Sequence, residues 1–217
     1  MSKAAAIKHG YTSGARSLAA RSIGGLARTR ITPNALTASG VLLCAAASIV
    51  VLFEKHHHLL FYWVGAVLFV AGSVLDILDG ALARAGGKST PFGAFLDSTT
   101  DRVSEGFMLA AIAYVFASEN RDAFVIVAVG AVAGSFLVSY TRARAEALGL
   151  KGDVGIGSRA ERVVVITAGL VFAPWGVLPW AIVLLTVTAW MTVVQRVLSV
   201  RKQLLLRGSS ETPLKPR

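Results

Sequence analysis

Cysteine is almost absent from this chain. Cys44, inside an apolar run, is the only one in 217 residues, so no intrachain disulfide holds the fold together. Residues 1–30 lack the apolar stretch that a cleavable signal peptide carries between its basic residues. No internal repeat stands out. Acidic residues are scarce as well, with 12 Asp and Glu against 22 Lys and Arg, for a net charge of +10. Such a balance suits a nucleic-acid partner, but the placement of the charge argues against one.

What the chain has in excess is apolar sequence. At 54% apolar residues and a mean hydropathy of +0.63, it exceeds what a soluble domain needs. Long apolar runs recur, so the expected fold is an all-α integral membrane protein. Six transmembrane helices are expected, near 35–53, 59–83, 93–118, 122–147, 160–174 and 177–199. The fifth run is short for a hydrocarbon core of about 30 Å, so its helix is expected to begin earlier, in the basic segment before it. All but two of the lysines and arginines, Lys55 and Arg121, fall on one side of these spans. By the positive-inside rule both termini are then cytoplasmic, and the basic rim faces anionic lipid rather than nucleic acid. In residues 1–30, Ala, Leu, Ile and Gly alternate with Lys and Arg, as in an amphipathic helix lying in the inner interface. Residues 31–207 form the six-helix domain on this reading, and 208–217 a disordered polar tail.

Four aspartates interrupt the apolar pattern: Asp76 and Asp79 near the end of the second span, Asp97 and Asp101 near the start of the third. Spacings of three and four put each pair on one helix face. A short turn rich in small residues joins the spans, so the two acidic faces can meet at one depth. Two like charges about 4 Å apart repel by about 4 kcal/mol at an effective dielectric of about 20. Four carboxylates with only Arg84 and Arg102 close in sequence therefore call for divalent cations, and hard oxygen donors suit two ions of Mg2+ or Mn2+. Gly80, Ala81, Ala83, Gly93 and Ala94 surround the aspartates and let a bulky phosphorylated ligand approach the backbone. On composition alone, a divalent-cation channel or transporter remains open.

The residues Asp76-x2-Asp79-Gly80-x2-Ala83-Arg84-x8-Gly93-x3-Asp97-x3-Asp101 resemble the complete signature of the CDP-alcohol phosphotransferase family. The resemblance implies a membrane enzyme that moves a phosphatidyl group from CDP-diacylglycerol to an alcohol and releases CMP. It implies Asp76, Asp79 and Asp97 as metal ligands, and Asp101 as both ligand and general base. Gly80, Arg84 and Thr90 match positions that contact the CDP-lipid donor in the family, as do Asn34, Ala35, Leu36 and Thr37. Read alone, that last segment is a helix start with Asn34 as a candidate cap. The family also implies a homodimer in the cell membrane, with the active site facing the cytoplasm.

A second informative stretch is Ser139-Tyr140-Thr141-Arg142-Ala143-Arg144-Ala145-Glu146, followed by Arg159-Ala160-Glu161-Arg162 and, in the last span, Gln195-Arg196. Arg142, Arg159 and Arg196 come from three spans ending on the acidic side, and converging guanidiniums suit a phosphate dianion. The plainer alternative is that they snorkel to the interface. These strings look like those of actinobacterial phosphatidylinositol phosphate synthases, which implies inositol 1-phosphate as the acceptor, held by Arg142, Arg159 and Arg196. A phosphatidylglycerophosphate synthase using glycerol 3-phosphate is the nearest alternative. His56-His57-His58 reads as an interfacial turn, and the four tryptophans as anchors or packing residues. Gly130 and Gly134 form a G-x-x-x-G that brings helices together, within one protomer or across a dimer.

Overall fold

The computed structural model of the protein describes residues 32–85 and 90–210. The expected amphipathic helix of residues 1–30 and the end of the expected tail, 211–217, lie outside the described residues. Six long helices follow one another: α1 (Pro33–Val51), α2 (His58–Ala85), α3 (Pro91–Ser118), α4 (Asp122–Ala147), α5 (Arg159–Val171) and α6 (Leu178–Ser210). Two 3-10 turns, Glu54–His56 and Ala173–Trp175, join α1 to α2 and α5 to α6. Among the described residues there is no strand.

Four of these helices, α1, α2, α4 and α6, are long and apolar enough to cross a membrane. The other two depart from the six-span expectation for different reasons. Helix α3 has 28 residues, about 42 Å at 1.5 Å per residue, but its first 15 residues carry Asp97, Asp101, Arg102 and Glu105. Helix α5 has 13 residues, roughly 20 Å, short of the core thickness. It does not extend back into the basic segment as expected. Ser158 stops it there, accepting from the Glu161 amide while Glu161 reaches back to the Ser158 amide at 2.7 Å, a reciprocal cap that fixes a helix start. Conversely, α6 continues to Ser210, into the segment expected to be a disordered tail.

The outward faces are apolar on every helix: Leu42, Val67, Phe107, Ile126, Val164 and Leu184 are all exposed. A continuous apolar exterior suits lipid and not water. Inside, Phe69, Met108, Ile112, Phe116, Ile166, Leu170, Ile182 and Leu185 are fully buried.

Close helix crossings rest on glycine. A Cβ on Gly72 would lie 2.6 Å from both the Cys44 Sγ and the Gly40 carbonyl oxygen, so α1 and α2 touch backbone to backbone there. Asp76 follows one turn later on α2 and Thr37 one turn earlier on α1, which delivers both to the same end of the bundle. Gly130 and Gly134 serve α4 and α6 of the same protomer. The Trp190 indole N–H donates to the Gly130 carbonyl at 3.0 Å, and a Cβ on Gly134 would lie 3.0 Å from that of Ala189.

Candidate active site

One end of the bundle collects the starts of α1, α3 and α5 and the last turns of α2. Thr32 caps α1 by accepting from the Ala35 amide at 3.2 Å, with Pro33 in the first turn. The cap expected at Asn34 is therefore Thr32 instead, and Asn34 lies exposed in the first turn. Leu36 is buried, Ala35 exposed. Thr90 caps α3, accepting from the Gly93 amide at 3.0 Å, so this residue has a structural task at the turn.

Three of the four aspartates gather closely. Carboxylate oxygens of Asp76, Asp97 and Asp101 all lie within 4.8 Å of one another. Asp79 stands beside them on α2, 3% exposed. The Thr37 hydroxyl donates to its Oδ2, while its Oδ1 is buried with no hydrogen-bond partner. An acceptor oxygen so placed is costly unless a donor or cation meets it. Carboxylates alone, one of them with an unanswered oxygen, are the donor set that hard divalent cations take, so these residues fit such ions.

Arg159, at the start of α5, answers two of the carboxylates. Its Nη1 pairs with Asp76 Oδ2 and lies 2.7 Å from Asp101 Oδ1. On α2 the Arg84 guanidinium folds back over Gly80, where a Cβ would approach its Nη1 to 3.3 Å. Gly80 thus leaves room for a cation directly after Asp79.

Beside the aspartates a cleft of about 1090 Å³ opens between α3 and α4. Asp97, Ser98, Asp101 and Arg102 line one wall, and Ser139, Tyr140, Arg142 and Glu146 the other. Arg142 pairs with Glu146 at 2.8 Å, both more than half exposed. Of the three arginines expected to converge, Arg142 lines this cleft, and Arg159 pairs with Asp76 and with the cleft-lining Asp101. Arg196 is only 6% exposed and turned inward, its Nε donating to the Val154 carbonyl at 2.8 Å and its Nη1 to that of Val138. It ties α6 to α4 and to the loop before α5.

A residue that sequence reasoning passed over is Glu105, which binds Arg162 through two N–H donors at 2.7 and 2.8 Å with both side chains 5% exposed. The signal was available: an acid four residues after Asp101, where α3 turns apolar, needs a cation.

Residues 30–195 match the family described as CDP-alcohol phosphatidyltransferase. The chain is 40% identical over 146 residues to the archaetidylinositol phosphate synthase of Methanothermobacter thermautotrophicus, covering 64% of this chain and 71% of that one. A crystal structure of Mycobacterium tuberculosis phosphatidylinositol phosphate synthase with CDP-DAG bound superposes with a TM-score of 0.75 at 31% identity, over 85% of this chain and 94% of the other. The same mycobacterial enzyme in complex with manganese and citrate gives a TM-score of 0.74 at 34% identity, over 84% and 88%.

Proposed function

The chain belongs to the CDP-alcohol phosphatidyltransferase family and is an enzyme of that class, and from that premise we propose that it makes phosphatidylinositol phosphate. It transfers the phosphatidyl group of CDP-diacylglycerol to inositol 1-phosphate and releases CMP. The observation that carries this reading is the cleft, which sets the Asp97–Asp101 face opposite Arg142. Carboxylates for the donor's metals and a guanidinium for the acceptor's phosphate thus share one space. The names of both relatives described above contain an inositol phosphate product, one archaeal and one bacterial. With the family one of transferases, the cation-transporter alternative loses its ground.

Asp76, Asp79, Asp97 and Asp101 hold two divalent ions, Mg2+ or Mn2+. Bound there, the ions supply the positive charge that anchors the diphosphate and offsets the charge growing on departing CMP. Thr37 keeps Asp79 Oδ2 engaged and so presents Oδ1 inward. Asp101 takes the proton of the acceptor hydroxyl. The hydroxyl oxygen forms a bond to the β-phosphorus in line with the breaking bond to CMP. Asn34, Ala35, Leu36, Thr37, Gly80, Arg84 and Thr90 surround the CDP-lipid donor, Thr37 through its bond to Asp79, Thr90 by capping α3 and Arg84 by its charge over Gly80. Arg142 and Arg159 take the acceptor phosphate. Arg196 completes the acceptor set from behind the cleft, its Nε and Nη1 holding the Val154 and Val138 carbonyls. The enzyme works as a homodimer in the cell membrane, its active site on the cytoplasmic side with both termini.

The test is CMP release by the purified protein with CDP-diacylglycerol, Mn2+ or Mg2+, and a panel of alcohols. Turnover with inositol 1-phosphate and not with glycerol 3-phosphate is the expected result. The reverse preference reassigns the enzyme to phosphatidylglycerophosphate synthesis, and turnover with free inositol alone removes the phosphate role of the arginines.

A further inference from the structure

Glu105 and Arg162 take no part in the chemistry above, yet they lie one helical turn from Asp101 and Arg159. Their contact is sealed, each side chain being 5% exposed. Arg162 presents Nε and Nη2 to the two carboxylate oxygens at 2.7 and 2.8 Å. Its Nη1 donates at 2.8 Å to the carbonyl of Gly157, the residue before the α5 cap Ser158. One guanidinium thus joins the wall helix α3, the start of α5 and the loop that leads into it. Gly157 is fixed from its other side too, its amide donating to Thr192 of α6 at 2.9 Å.

The step from Asp101 to Glu105 is four residues on α3, and from Arg159 to Arg162 three on α5. Both spacings keep side chains on one face, so two successive ion pairs reach from the start of α5 across to α3, while the α5 backbone packs on α2 and α6. A shift of one residue along α5 turns a side chain by about 100° and would carry Arg159 off Asp101. Buried ion pairs are weak sources of stability, since apolar residues of similar volume often do as well or better, and fixing register is their best attested use.

We infer that Glu105 and Arg162 are positioning residues that set the register of α5 on α3 and thereby hold Arg159 and Asp101 at the metal and acceptor site. This rests on the transferase reading, and the test separates the two. In the double variant Glu105→Leu with Arg162→Met, the melting temperature in detergent without metal stays within a few degrees of the parent. The Mn2+ concentration giving half-maximal thermal stabilisation rises several-fold, and kcat for CMP release falls about tenfold or more. Parent values of either the Mn2+ midpoint or kcat in a folded double variant overturn the inference. Should the parent release no CMP with any alcohol, the transferase reading has failed and the Mn2+ midpoint alone decides the positioning role. If the double variant does not fold, Glu105→Gln decides, since it keeps the shape and weakens the pair. A raised Mn2+ midpoint in the folded Glu105→Gln protein then supports the inference, and an unchanged midpoint overturns it.

Discussion

Asp101–Arg159 and Glu105–Arg162 join the same two helices with the same pair of charges, one turn apart, and they inhabit different environments. The first is 19% and 26% exposed, has its Asp101 in the lining of a cleft, and shares its guanidinium with Asp76. The second is 5% exposed on each side and closed by the Gly157 carbonyl. Depth accounts for the division of labour. A pair at the cleft floor can exchange partners with ions or phosphate, because water and ligand compensate each charge as it lets go. A pair one turn deeper has no such substitute, so it stays made. A reactive contact and a scaffold contact thus come from one structural motif, distinguished by about 6 Å along a helix axis.

Breaking each pair from one side is the sharpest way to test that contrast. Asp101→Asn, in the open pair, removes the proposed proton acceptor while keeping its shape. Its kcat for CMP release is expected to fall about 10³-fold, within the usual range for loss of a general base, with melting temperature and CDP-diacylglycerol affinity near those of the parent. A near-normal rate would falsify the assignment of the base. Arg162→Leu, in the closed pair, leaves Glu105 as a buried charge without a counter-ion. A loss of about 3–5 kcal/mol is expected, read as a large drop in melting temperature and in yield of folded protein. If Arg162→Leu left stability intact and touched only turnover, the two pairs would not differ as depth says they do.

The sequence carries the open pair more legibly than the closed one. Asp76, Asp79, Asp97 and Asp101 stand out because charge inside apolar helices is rare and their spacing is periodic, and three of them do converge. Helix positions were legible for the same reason, from runs of apolar residues. Helix ends were less so. The start of α5 depends on a reciprocal bond between Ser158 and Glu161, a local competition that hydropathy does not register. For Arg196 the sequence shows an arginine near a span end, whereas the carbonyls it holds, those of Val138 and Val154, belong to elements distant in sequence. Glu105 shows the same limit: its charge is visible in the sequence, but Arg162, its partner 57 residues away, is set by how α5 docks.

Asp76, the second anchor of Arg159, offers a smaller perturbation. It follows Gly72, where α2 crosses α1 with no space for a methyl group, since the Gly40 carbonyl is backbone and cannot swing aside. Gly72→Ala is expected to cost about 1–3 kcal/mol, as overpacked sites do, and to lower kcat in proportion as Asp76 is displaced. Loss of stability with kcat wholly preserved would mean that the crossing supports the bundle and not the site.

The Arg142–Glu146 pair extends the comparison to full exposure. Its side chains are 57% and 54% exposed, and pairs of that kind contribute about 0–1 kcal/mol, so removing it should barely move the melting temperature. It lines the cleft opposite Asp101, and its expected value lies in binding. On the proposed acceptor reading, Arg142→Ala removes a charge-assisted contact worth about 1.5 kcal/mol, roughly a tenfold rise in KM. That rise should fall on inositol 1-phosphate, with kcat within about twofold of the parent, the pattern of an interaction made equally in ground and transition states. Initial rates at varied acceptor and then varied donor distinguish the cases. An effect on the KM for CDP-diacylglycerol instead would move Arg142 to the donor side of the cleft. It would leave Arg159 and Arg196, of the three expected arginines, to meet the acceptor phosphate.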